Sequence, residues 1–574
     1  MNGLMSRGAV WIWLLLVLAV FTYGFGLDSV DIPSNGDEHV YLHIARKTFE
    51  TGHWLPLTSD LLHTRNTKPP LLFWQAMISG AGSWTLWSLR LPSLVYTMAT
   101  ALLTLLVTQR LTRNPSKAAV AALFYLGCYS VYRYGRPLLT DAPESFWLSI
   151  IVLPMALRPP AARTPHWTVL LCWGCALGLA CLYKSFVLIA PIATLYLLSV
   201  SERRSDLWIQ RLLSLGILCL IAGACFAIWP LLDSDPLAIW REFVIGENVG
   251  KLGAGSYFTN MWRGGSSIPG LFGALLLDGG ALAPLLLGLI ILGWRSRREW
   301  SSAERTLWLW VIILFVMFAI PSQRSGRYLL PALPAMSVLL AYRAEAIPRF
   351  YGAISSVLVI GVSIAFLVLV AAAAGEAGSP LQVSNGFWMA CTVALLLAVV
   401  GMWRRDWTVV GPAGGSVALM LAMGLFLRSY DAPPGPFSDA ARNAVAGATV
   451  YAPCDFVVSE EAYRFMLPRA SVRSYDLDWH LPLAALATHR YFIARSPLDA
   501  PVGCDGCRVL GARILVHGRL GSDEWRDIRN GNIVRHLLMR DVLVESMNAS
   551  ESLAAEPEAC TPEGRAAHLL AVEQ

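Results

Sequence analysis

Charged residues are scarce in this chain of 574 residues. Asp, Glu, Lys and Arg together make up only 15% of the sequence, whereas hydrophobic residues make up 55%. The mean hydropathy is +0.52, and a water-soluble fold cannot hide this much apolar surface in its core. The composition therefore excludes a soluble protein and indicates a chain that crosses a membrane several times.

The chain also lacks a small-x-small cleavage site after its first apolar run, WIWLLLVLAVFTYGFGL. We therefore interpret this run as a retained membrane span and not as a signal peptide. The net charge of +6 is not taken as a sign of nucleic-acid binding. Lys and Arg fall in short clusters between apolar runs, where such clusters orient helices. Membrane lipids, and no nucleic acid, are the expected surroundings.

Apolar segments long enough to cross a bilayer recur along most of the chain. They predict a polytopic α-helical membrane protein with roughly 13 transmembrane helices. The predicted spans lie at residues 9–27, 88–108, 117–133, 137–157, 167–183, 187–200, 212–231, 269–293, 306–320, 328–342, 351–374, 387–403 and 408–427.

The distribution of basic residues predicts the orientation of these spans. The segments QRLTRNPSK, LRPPAARTPH, SERRSDLWIQR, WRSRREWSSAER, YRAEAIPR and WRRDW all fall on one side of the membrane, which the positive-inside rule makes the cytoplasmic side. We therefore expect a cytoplasmic N-terminus, a transmembrane domain at residues 1–427 with outer loops at 28–87 and 232–268, and a soluble domain at 428–574. In a bacterial inner membrane that domain would be periplasmic.

The C-terminal tail alternates β-like runs such as TVYA, VRSYD, RYFIAR and RVLGARILVHGR with helix-like runs such as SEEAYRFML and GSDEWRDIRNG. This alternation predicts a small α/β domain. Four of the 11 cysteines lie in the tail, namely Cys454, Cys504, Cys507 and Cys560. They suit disulfides in an oxidising compartment or, for Cys504 and Cys507, a metal or redox pair. The predicted topology favours at least one disulfide, with its pairing left open.

An acidic pair opens the first outer loop, where GDEHVYLHIARKTFE reads as an amphipathic helix on the membrane surface. Asp37 and Glu38 suit a helix N-terminus, capped by Ser34 or Asn35. They also suit a catalytic site. Asp141 and Glu144, which follow the third span, could likewise cap the next helix.

Basic residues on the outer side run against the positive-inside rule and need another reason, which an anionic ligand would supply. They are Arg133, Arg136, Lys184, Lys251, Arg324 and Arg327. Lys68 could simply extend to the lipid headgroups. Alternatively, because the two prolines after it restrict the backbone, it could be a fixed cation that holds a phosphate. Lys184 alternatively closes a hairpin.

Histidines in the first outer loop leave a divalent cation possible but not required. His39 and His43 lie one helical turn apart, with His53 and His63 nearby. Imidazole is a common metal ligand, yet sparse histidines at a headgroup interface need no metal. We therefore assign no metal ligand and no required cofactor.

The ordered motifs of the first half of the chain resemble those of a known enzyme class. GDEHVYLHIARKTFETGHW, TKPPLLFW and SLRLPS, followed by RPLLTDAPESFW, ENVGKLGAGS and GRYLLPALPA, are similar to motifs of the lipid A aminoarabinose transferases and the protein O-mannosyltransferases. The resemblance covers residues 8–345. It implies the GT-C fold of multispan glycosyltransferases, which use polyprenyl-phosphate sugars at sites facing the periplasm or lumen.

The resemblance also implies roles for individual residues. Asp37 would be the catalytic carboxylate with Glu38 beside it, and Asp141 would be a second carboxylate of the site. Lys68 would contact the donor phosphate. Lys251 falls where relatives often have Arg, and this exchange keeps the charge but loses bidentate geometry. Lys184 and Arg327 are further phosphate-binding candidates.

The function implied is transfer of a sugar from an undecaprenyl phosphate donor, by one inverting displacement, to a periplasmic acceptor. Lipid A, another envelope glycan and a protein are the acceptors considered. A transporter or flippase of a lipid-linked anion is the main alternative, because it would also need basic residues near the membrane. A noncatalytic membrane scaffold, with the tail as its binding module, is the third. Transporters, however, often contain internal repeats and midplane charges, and we find neither pattern in this sequence.

Overall fold

The computed structural model describes most of the chain outside the last 25 residues. The described residues are 7–32, 36–60, 65–158, 165–199, 208–250, 261–262, 266–376, 379, 381–428, 435–454, 460–476, 486–487, 489–498, 504, 506–516, 526, 528, 534 and 538–549.

Helices dominate the first three quarters of the chain. They are α1 (Arg7–Gly24), α2 (Gly36–Glu50), α3 (Leu71–Gly80), α4 (Leu86–Thr112), α5 (Pro115–Gly127), α6 (Tyr129–Gly135), α7 (Asp141–Ala156), α8 (Trp167–Tyr183), α9 (Ile189–Ser199), α10 (Trp208–Leu232), α11 (Ile268–Leu277), α12 (Ala283–Arg295), α13 (Ser302–Ala319), α14 (Leu333–Arg343), α15 (Arg349–Gly375), α16 (Asn385–Trp403) and α17 (Val410–Leu427). The short turn Pro236–Ala238 leads into a π-helix at Ile239–Val249, and a 3₁₀ segment at Gly326–Ala332 precedes α14.

Every predicted span overlaps one or two of these helices, which confirms a chain with several membrane spans. By length and composition, six helices of the described residues can cross a membrane, namely α4, α10, α13, α15, α16 and α17, and a bent pair would make a seventh. The remaining predicted spans correspond to shorter or broken helices. The count of 13 therefore stays a prediction.

The predicted span at residues 269–293 is not a single helix. Helix α11 and the segment that leads into α12 meet at an angle of 105°. Gly280 lies at this bend with a φ of +58°, a conformation that costs glycine little and other residues much more. Hydropathy alone does not detect this break, because the residues on both sides are equally apolar.

Small residues let the last two membrane helices approach closely. A Cβ atom added to Gly411 would lie 2.5 Å from the Cα of Gly401, so neither helix tolerates a larger side chain at this crossing. Without a hydrophobic force between helices in lipid, such close backbone contact is a major source of packing energy. This contact joins the end of α16 to the start of α17.

The tail contains two short helices, α18 (Asp439–Ala444) and α19 (Glu460–Met466), and a five-stranded sheet. Its strands are β1 (Thr449–Cys454), β2 (Ser471–Asp476), β3 (Tyr491–Pro497), β4 (Cys507–Val516) and β5 (Leu538–Ser546), in the order β2-β1-β3-β5-β4. Strand β1 is parallel to β2 and β3, whereas β5 is antiparallel to β3 and β4.

The four strands expected from the sequence are all present, and β5 is the strand that the sequence analysis missed. This strand lies between β3 and β4 and is buried on both faces: Leu543 packs in one apolar cluster, and Val542 and Val544 pack in another. A strand buried on both faces lacks the alternation that marks a half-exposed strand.

Cys504 and Cys507 form a disulfide, and Cys454 is also disulfide-bonded, which confirms the expectation of at least one disulfide in the tail. The run GSDEWRDIRNG and Cys560 lie largely or wholly outside the described residues.

Helix α2 is fixed to the membrane helices by a buried ion pair. The guanidinium of Arg90, on α4, donates to both carboxylate oxygens of Glu38 at 2.7 and 2.6 Å, and Glu38 also accepts from the backbone N–H of Leu138. Arg90 completes its bonds with the carbonyls of Leu27 and Ser29. Both charged side chains are almost fully buried, so neither has water as an alternative partner.

The opposite side of α2 contacts the tail. The buried carboxylate of Glu461, on α19, accepts from Arg46 and lies 3.0 Å from the ring of His43. Burial alone would raise the pKa of Glu461, but the hydrogen bonds from His43 and Arg46 and the charge of Arg46 outweigh it and hold the pKa at about 2. The two segments predicted to share the outer side of the membrane are therefore in direct contact.

Removal of Arg90 should destabilise the protein strongly. Arg90→Met leaves the Glu38 carboxylate buried without its countercharge, which typically costs about 3–5 kcal/mol. Because the two residues form one network, the double variant Arg90→Met/Glu38→Gln should cost less than the sum of the two single changes. Thermal unfolding in detergent measures both effects, and strict additivity would contradict the coupling.

The ionised Glu461 carboxylate should make the stability of the fold depend on pH. A carboxylate whose folded pKa is about 2 and whose ordinary value is 4.5 stabilises the fold fully above about pH 4.5, by about 3 kcal/mol, and loses this contribution as the pH falls towards 2. Glu461→Gln should therefore be less stable than the wild type at pH 7, with the difference shrinking below pH 4.5. Equal differences in thermal stability at pH 7 and pH 3 would contradict this assignment.

Candidate active site

One cavity of about 600 Å³ collects the ends of several helices. The N-terminus of α2, the residues after α8, the π-helix, the end of α13 and the 3₁₀ segment before α14 all contribute to it. Its polar lining includes Asp37, Lys68, Lys184, Ser185, Glu247, Asn248, Gln323, Arg327 and Tyr328. Four side chains that the sequence singled out thus share one cavity although they lie far apart in the chain.

A chain of alternating charges connects lining residues of this cavity with two buried carboxylates behind them. Arg327 Nη1 donates to Asp37 Oδ2 at 2.5 Å, and its Nε lies 3.5 Å from Asp141 Oδ1. Lys184 Nζ lies 3.4 Å from the same Asp141 oxygen and 2.5 Å from Glu144 Oε2. Asp141 therefore joins the two cations, and each cation contacts two carboxylates.

Local structure accounts for this arrangement. Asp141 and Glu144 occupy the first turn of α7, and residues three apart share one face of a helix. Lys184 directly follows α8, where its side chain leaves the helix end, and Arg327 is the second residue of the 3₁₀ segment. The helix-cap interpretation of Asp141 and Glu144 is therefore incomplete, because both side chains bind Lys184. The hairpin interpretation of Lys184 is incomplete for the same reason.

Lys68 also lines the cavity, and Pro69 and Pro70 restrict the chain between it and α3. Its ammonium donates to the carbonyl of Thr67 at 3.0 Å and to Glu247 Oε2, on the π-helix, at 3.5 Å. The side chain thus points into the cavity and not towards lipid headgroups. Lys251, the remaining basic candidate, lies outside the described residues.

The acidic groups of the cavity differ in their access to solvent. The side chain of Asp37 is 49% exposed, whereas those of Asp141 and Glu144 are fully buried. A molecule in the cavity can reach the exposed part of the Asp37 side chain, but Arg327 and Lys184 shield the two buried carboxylates. Asp37 is also more exposed than Glu247, at 28%, and is therefore the carboxylate of the cavity best placed to contact a ligand.

Cations and carboxylates nearly balance in this site. Lys68, Lys184 and Arg327 are three positive charges, and the carboxylates bound to them are Asp37, Asp141, Glu144 and Glu247. The formal sum is one negative charge. An anionic ligand must therefore exchange at least one of these ion pairs for its own contacts.

The remaining wall of the cavity is apolar and leads to the outside of the helix bundle. Val187, Leu188, Met317, Phe318 and Ile320 contribute to it from α13 and from the segment before α9. Val187 and Ile320 are also among the exposed apolar side chains. A polar end and an apolar tail of one molecule would both find matching surfaces here.

Other residues that the sequence singled out lie elsewhere. Glu38 does not line the cavity and instead binds Arg90. Arg136 donates to the carbonyls of Tyr23, Phe25 and Ile32, so it satisfies the end of α1. Arg324 donates to the carbonyls of Ala319 and Ser266. Both guanidinium groups thus donate to backbone carbonyls, and an anionic ligand at Arg136 or Arg324 stays a prediction.

The histidines of the first loop do not form a metal site in the described part of the chain. His43 binds Glu461 and lies 3.3 Å from the backbone N–H of Asp60, His53 is exposed, and His63 lies outside the described residues. No group of three or more potential ligands occurs among the residues that the structure describes.

The sequence analysis did not assign four residues of the site. Glu144 was considered only as a cap, and Glu247, Asn248 and Tyr328 were not considered individually. Lys184 Nζ lies 4.9 Å from the ring centroid of Tyr328, close enough for a cation–π contact. The four missed residues lie inside the motifs RPLLTDAPESFW, ENVGKLGAGS and GRYLLPALPA. Those motifs were the sequence signal that could have identified them.

Comparison with known proteins finds similar glycosyltransferases. A family model described as dolichyl-phosphate-mannose-protein mannosyltransferase matches residues 67–229. An undecaprenyl phosphate-alpha-4-amino-4-deoxy-L-arabinose arabinosyl transferase of Proteus mirabilis is 26% identical over 57% of this chain and 58% of its own length. The corresponding transferase of Aeromonas salmonicida is 27% identical over 58% of this chain and 59% of its own. The chain thus spans less than two thirds of these relatives' length.

The fold is similar to that of a solved membrane protein over almost the whole chain. The crystal structure of ArnT from Cupriavidus metallidurans bound to undecaprenyl phosphate superposes with a TM-score of 0.60 and 16% identity, covering 96% of this chain and 100% of that one. This agreement confirms the predicted fold class. The chain is a polytopic helical membrane protein with the GT-C fold, and it resembles the aminoarabinose transferases and the protein O-mannosyltransferases.

Proposed function

We propose that the protein is an inner-membrane glycosyltransferase that moves a sugar from a polyprenyl phosphate to an acceptor at the outer face, such as lipid A. The observation that carries this proposal is the single cavity in which a solvent-accessible carboxylate, three cations and an apolar wall meet. The relatives are undecaprenyl phosphate-alpha-4-amino-4-deoxy-L-arabinose arabinosyl transferases, and they support the same donor class.

In this proposal the donor phosphate binds between Lys68, Lys184 and Arg327. The apolar wall beside Val187 and Ile320 receives the first isoprene units, and the rest of the polyprenyl chain extends into the bilayer. Cations at this depth are costly unless paired, and the buried carboxylates Asp141 and Glu144 keep Lys184 charged and oriented before the donor arrives. Lys251 is proposed as a further phosphate contact.

The reaction is one displacement at the anomeric carbon. The bond from this carbon to the phosphate oxygen breaks while the acceptor oxygen forms its new bond from the opposite face, so the configuration inverts. The sugar gains oxocarbenium character and the phosphate gains negative charge, which Lys68 and Arg327 stabilise. Asp37 accepts the proton of a hydroxyl acceptor, or orients an acceptor that is already an anionic phosphate. No metal is needed for these steps.

Arg327 couples donor binding to the ability of Asp37 to accept a proton. Before the donor binds, its guanidinium is shared between Asp37 and Asp141. A phosphate competes for the same guanidinium and weakens its bond to Asp37, which makes that carboxylate a better acceptor for the proton. Glu38 acts indirectly, because its pair with Arg90 fixes the first turn of α2.

The topology of the proposal follows from the sequence. The N-terminus is cytoplasmic, residues 1–427 form the transmembrane domain with roughly 13 spans, and residues 428–574 form a periplasmic α/β domain. The contact between α2 and α19 supports the part of this arrangement that puts the first loop and the tail on the same side.

Asp37→Asn should abolish most turnover without loss of donor binding. The change preserves side-chain size but removes the charge that accepts a proton, so the transfer rate should fall by about 100-fold or more. Because it also removes one negative charge from an anion-binding cavity, undecaprenyl phosphate should bind at least as tightly as to the wild type. Transfer of a radiolabelled sugar and binding of the lipid phosphate measure the two effects separately.

The same assay separates transferase from transporter. A folded Asp37→Asn protein with near-native transfer would contradict the catalytic assignment. A wild-type protein that binds lipid-linked sugars and moves them across vesicles without transferring the sugar would favour the transporter instead.

Lys68→Ala should weaken the use of the donor, because it removes a charge whose contact strengthens as the leaving group develops. We expect a loss of about 10- to 100-fold in kcat/KM, and Lys68→Arg should retain more activity than Lys68→Ala. Lys117→Ala is the control, since Lys117 pairs with Glu345 away from the cavity. Unchanged donor affinity and turnover in Lys68→Ala would remove Lys68 from the phosphate site.

A further inference from the structure

Helix α2 is attached to the tail on both sides of Asp37 along the chain. Before the helix, Asp31 lies 3.1 Å from Arg513 Nη2 of β4. After the first turns, His43 and Arg46 bind Glu461 of α19. The residue proposed to meet the acceptor therefore lies between two contacts with the C-terminal sheet region.

The interaction of Glu461 with α2 is buried and is not a loose ion pair at the surface. Its side chain is 2% exposed, and both of its oxygens are engaged: Oε2 accepts from Arg46 Nε at 3.1 Å, and Oε1 contacts Arg46 Nη2 and His43 Nδ1. The other nitrogen of His43 accepts from the backbone N–H of Asp60. Phe465, on the same short helix, packs against the apolar cluster of α2 and α3.

The distance from this contact to Asp37 is short and spanned by rigid backbone. His43 follows Asp37 by six positions, which is about 9 Å along a helix. A helix transmits a shift or tilt at one end to the other with little loss over this length. Asp37 must hold the acceptor close to attack geometry, where misplacement by about 1 Å can cost up to about 100-fold in rate.

On the basis of the proposed function, we propose that Glu461 is a positioning residue for sugar transfer: it holds α2 at the angle that directs Asp37 towards the acceptor. The C-terminal sheet region is then part of the working enzyme and acts through α2. The donor phosphate, which contacts Lys68, Lys184 and Arg327 on other elements, should be insensitive to this contact.

The test compares Glu461→Gln with a matched change in the same sheet region. Glu545→Gln is the control, because Glu545 also binds two arginines, Arg490 and Arg508, and a tyrosine hydroxyl but has none of these contacts with α2. Both full-length proteins are assayed in detergent with an undecaprenyl-phosphate-linked aminoarabinose donor. Titration with undecaprenyl phosphate counts the folded sites, and hydrogen exchange reports on residues 36–50.

For Glu461→Gln we expect kcat to fall about tenfold, KM for the donor to stay within about twofold, and the number of binding sites to stay the same. Backbone amides of residues 36–50 should exchange faster, whereas Glu545→Gln should match the wild type in all four measurements. Glu461→Asp, which keeps the charge, should recover part of the lost kcat.

Wild-type kcat in a Glu461→Gln protein would overturn the proposal, and so would equal losses in Glu461→Gln and Glu545→Gln. If the wild type transfers no sugar at all, the proposed function fails instead. In that case unchanged exchange at residues 36–50 in Glu461→Gln would still overturn the role of Glu461 in holding α2.

Discussion

A buried charge must have a partner, and this constraint organises the central cavity. Asp141 and Glu144 are fully buried at the start of α7, where an unpaired carboxylate would be very costly. Lys184 and Arg327 provide the partners, and they come from two other elements. The ion pairs therefore determine which helix ends converge, and the convergence creates the cavity.

This pairing has a consequence for ligand binding. Because the cations already have carboxylate partners, the site is not an open basic patch that would attract any anion. A ligand must offer contacts good enough to replace an existing pair, which favours specific binding over general attraction. Arg327 is the cation that connects the surface of the cavity with its buried part, since it contacts Asp37 at the cavity surface and Asp141 behind it.

Helix α2 illustrates how a site at a membrane surface is held in place. One of its sides is fixed to α4 by Glu38 and Arg90, and the other is fixed to the tail by Arg46 and Glu461. Asp37 lies in the first turn of this helix, and its side chain is half exposed. Its position therefore depends on groups in two distant parts of the chain, one in a membrane helix and one in the sheet region.

The sequence by itself determined the membrane class, the approximate positions of the helices and the residue types of the site, because hydropathy and local motifs are properties of neighbouring residues. It also indicated Asp37, Lys68, Lys184 and Arg327 as candidates through motifs that resemble known transferases. Only the tertiary structure decided which of the outer basic residues meet in one cavity and which, like Arg136, bind the carbonyls at a helix end. A guanidinium can donate to a carboxylate or to backbone carbonyls, so its partner depends on which helix ends lie within reach, and local sequence does not contain that information.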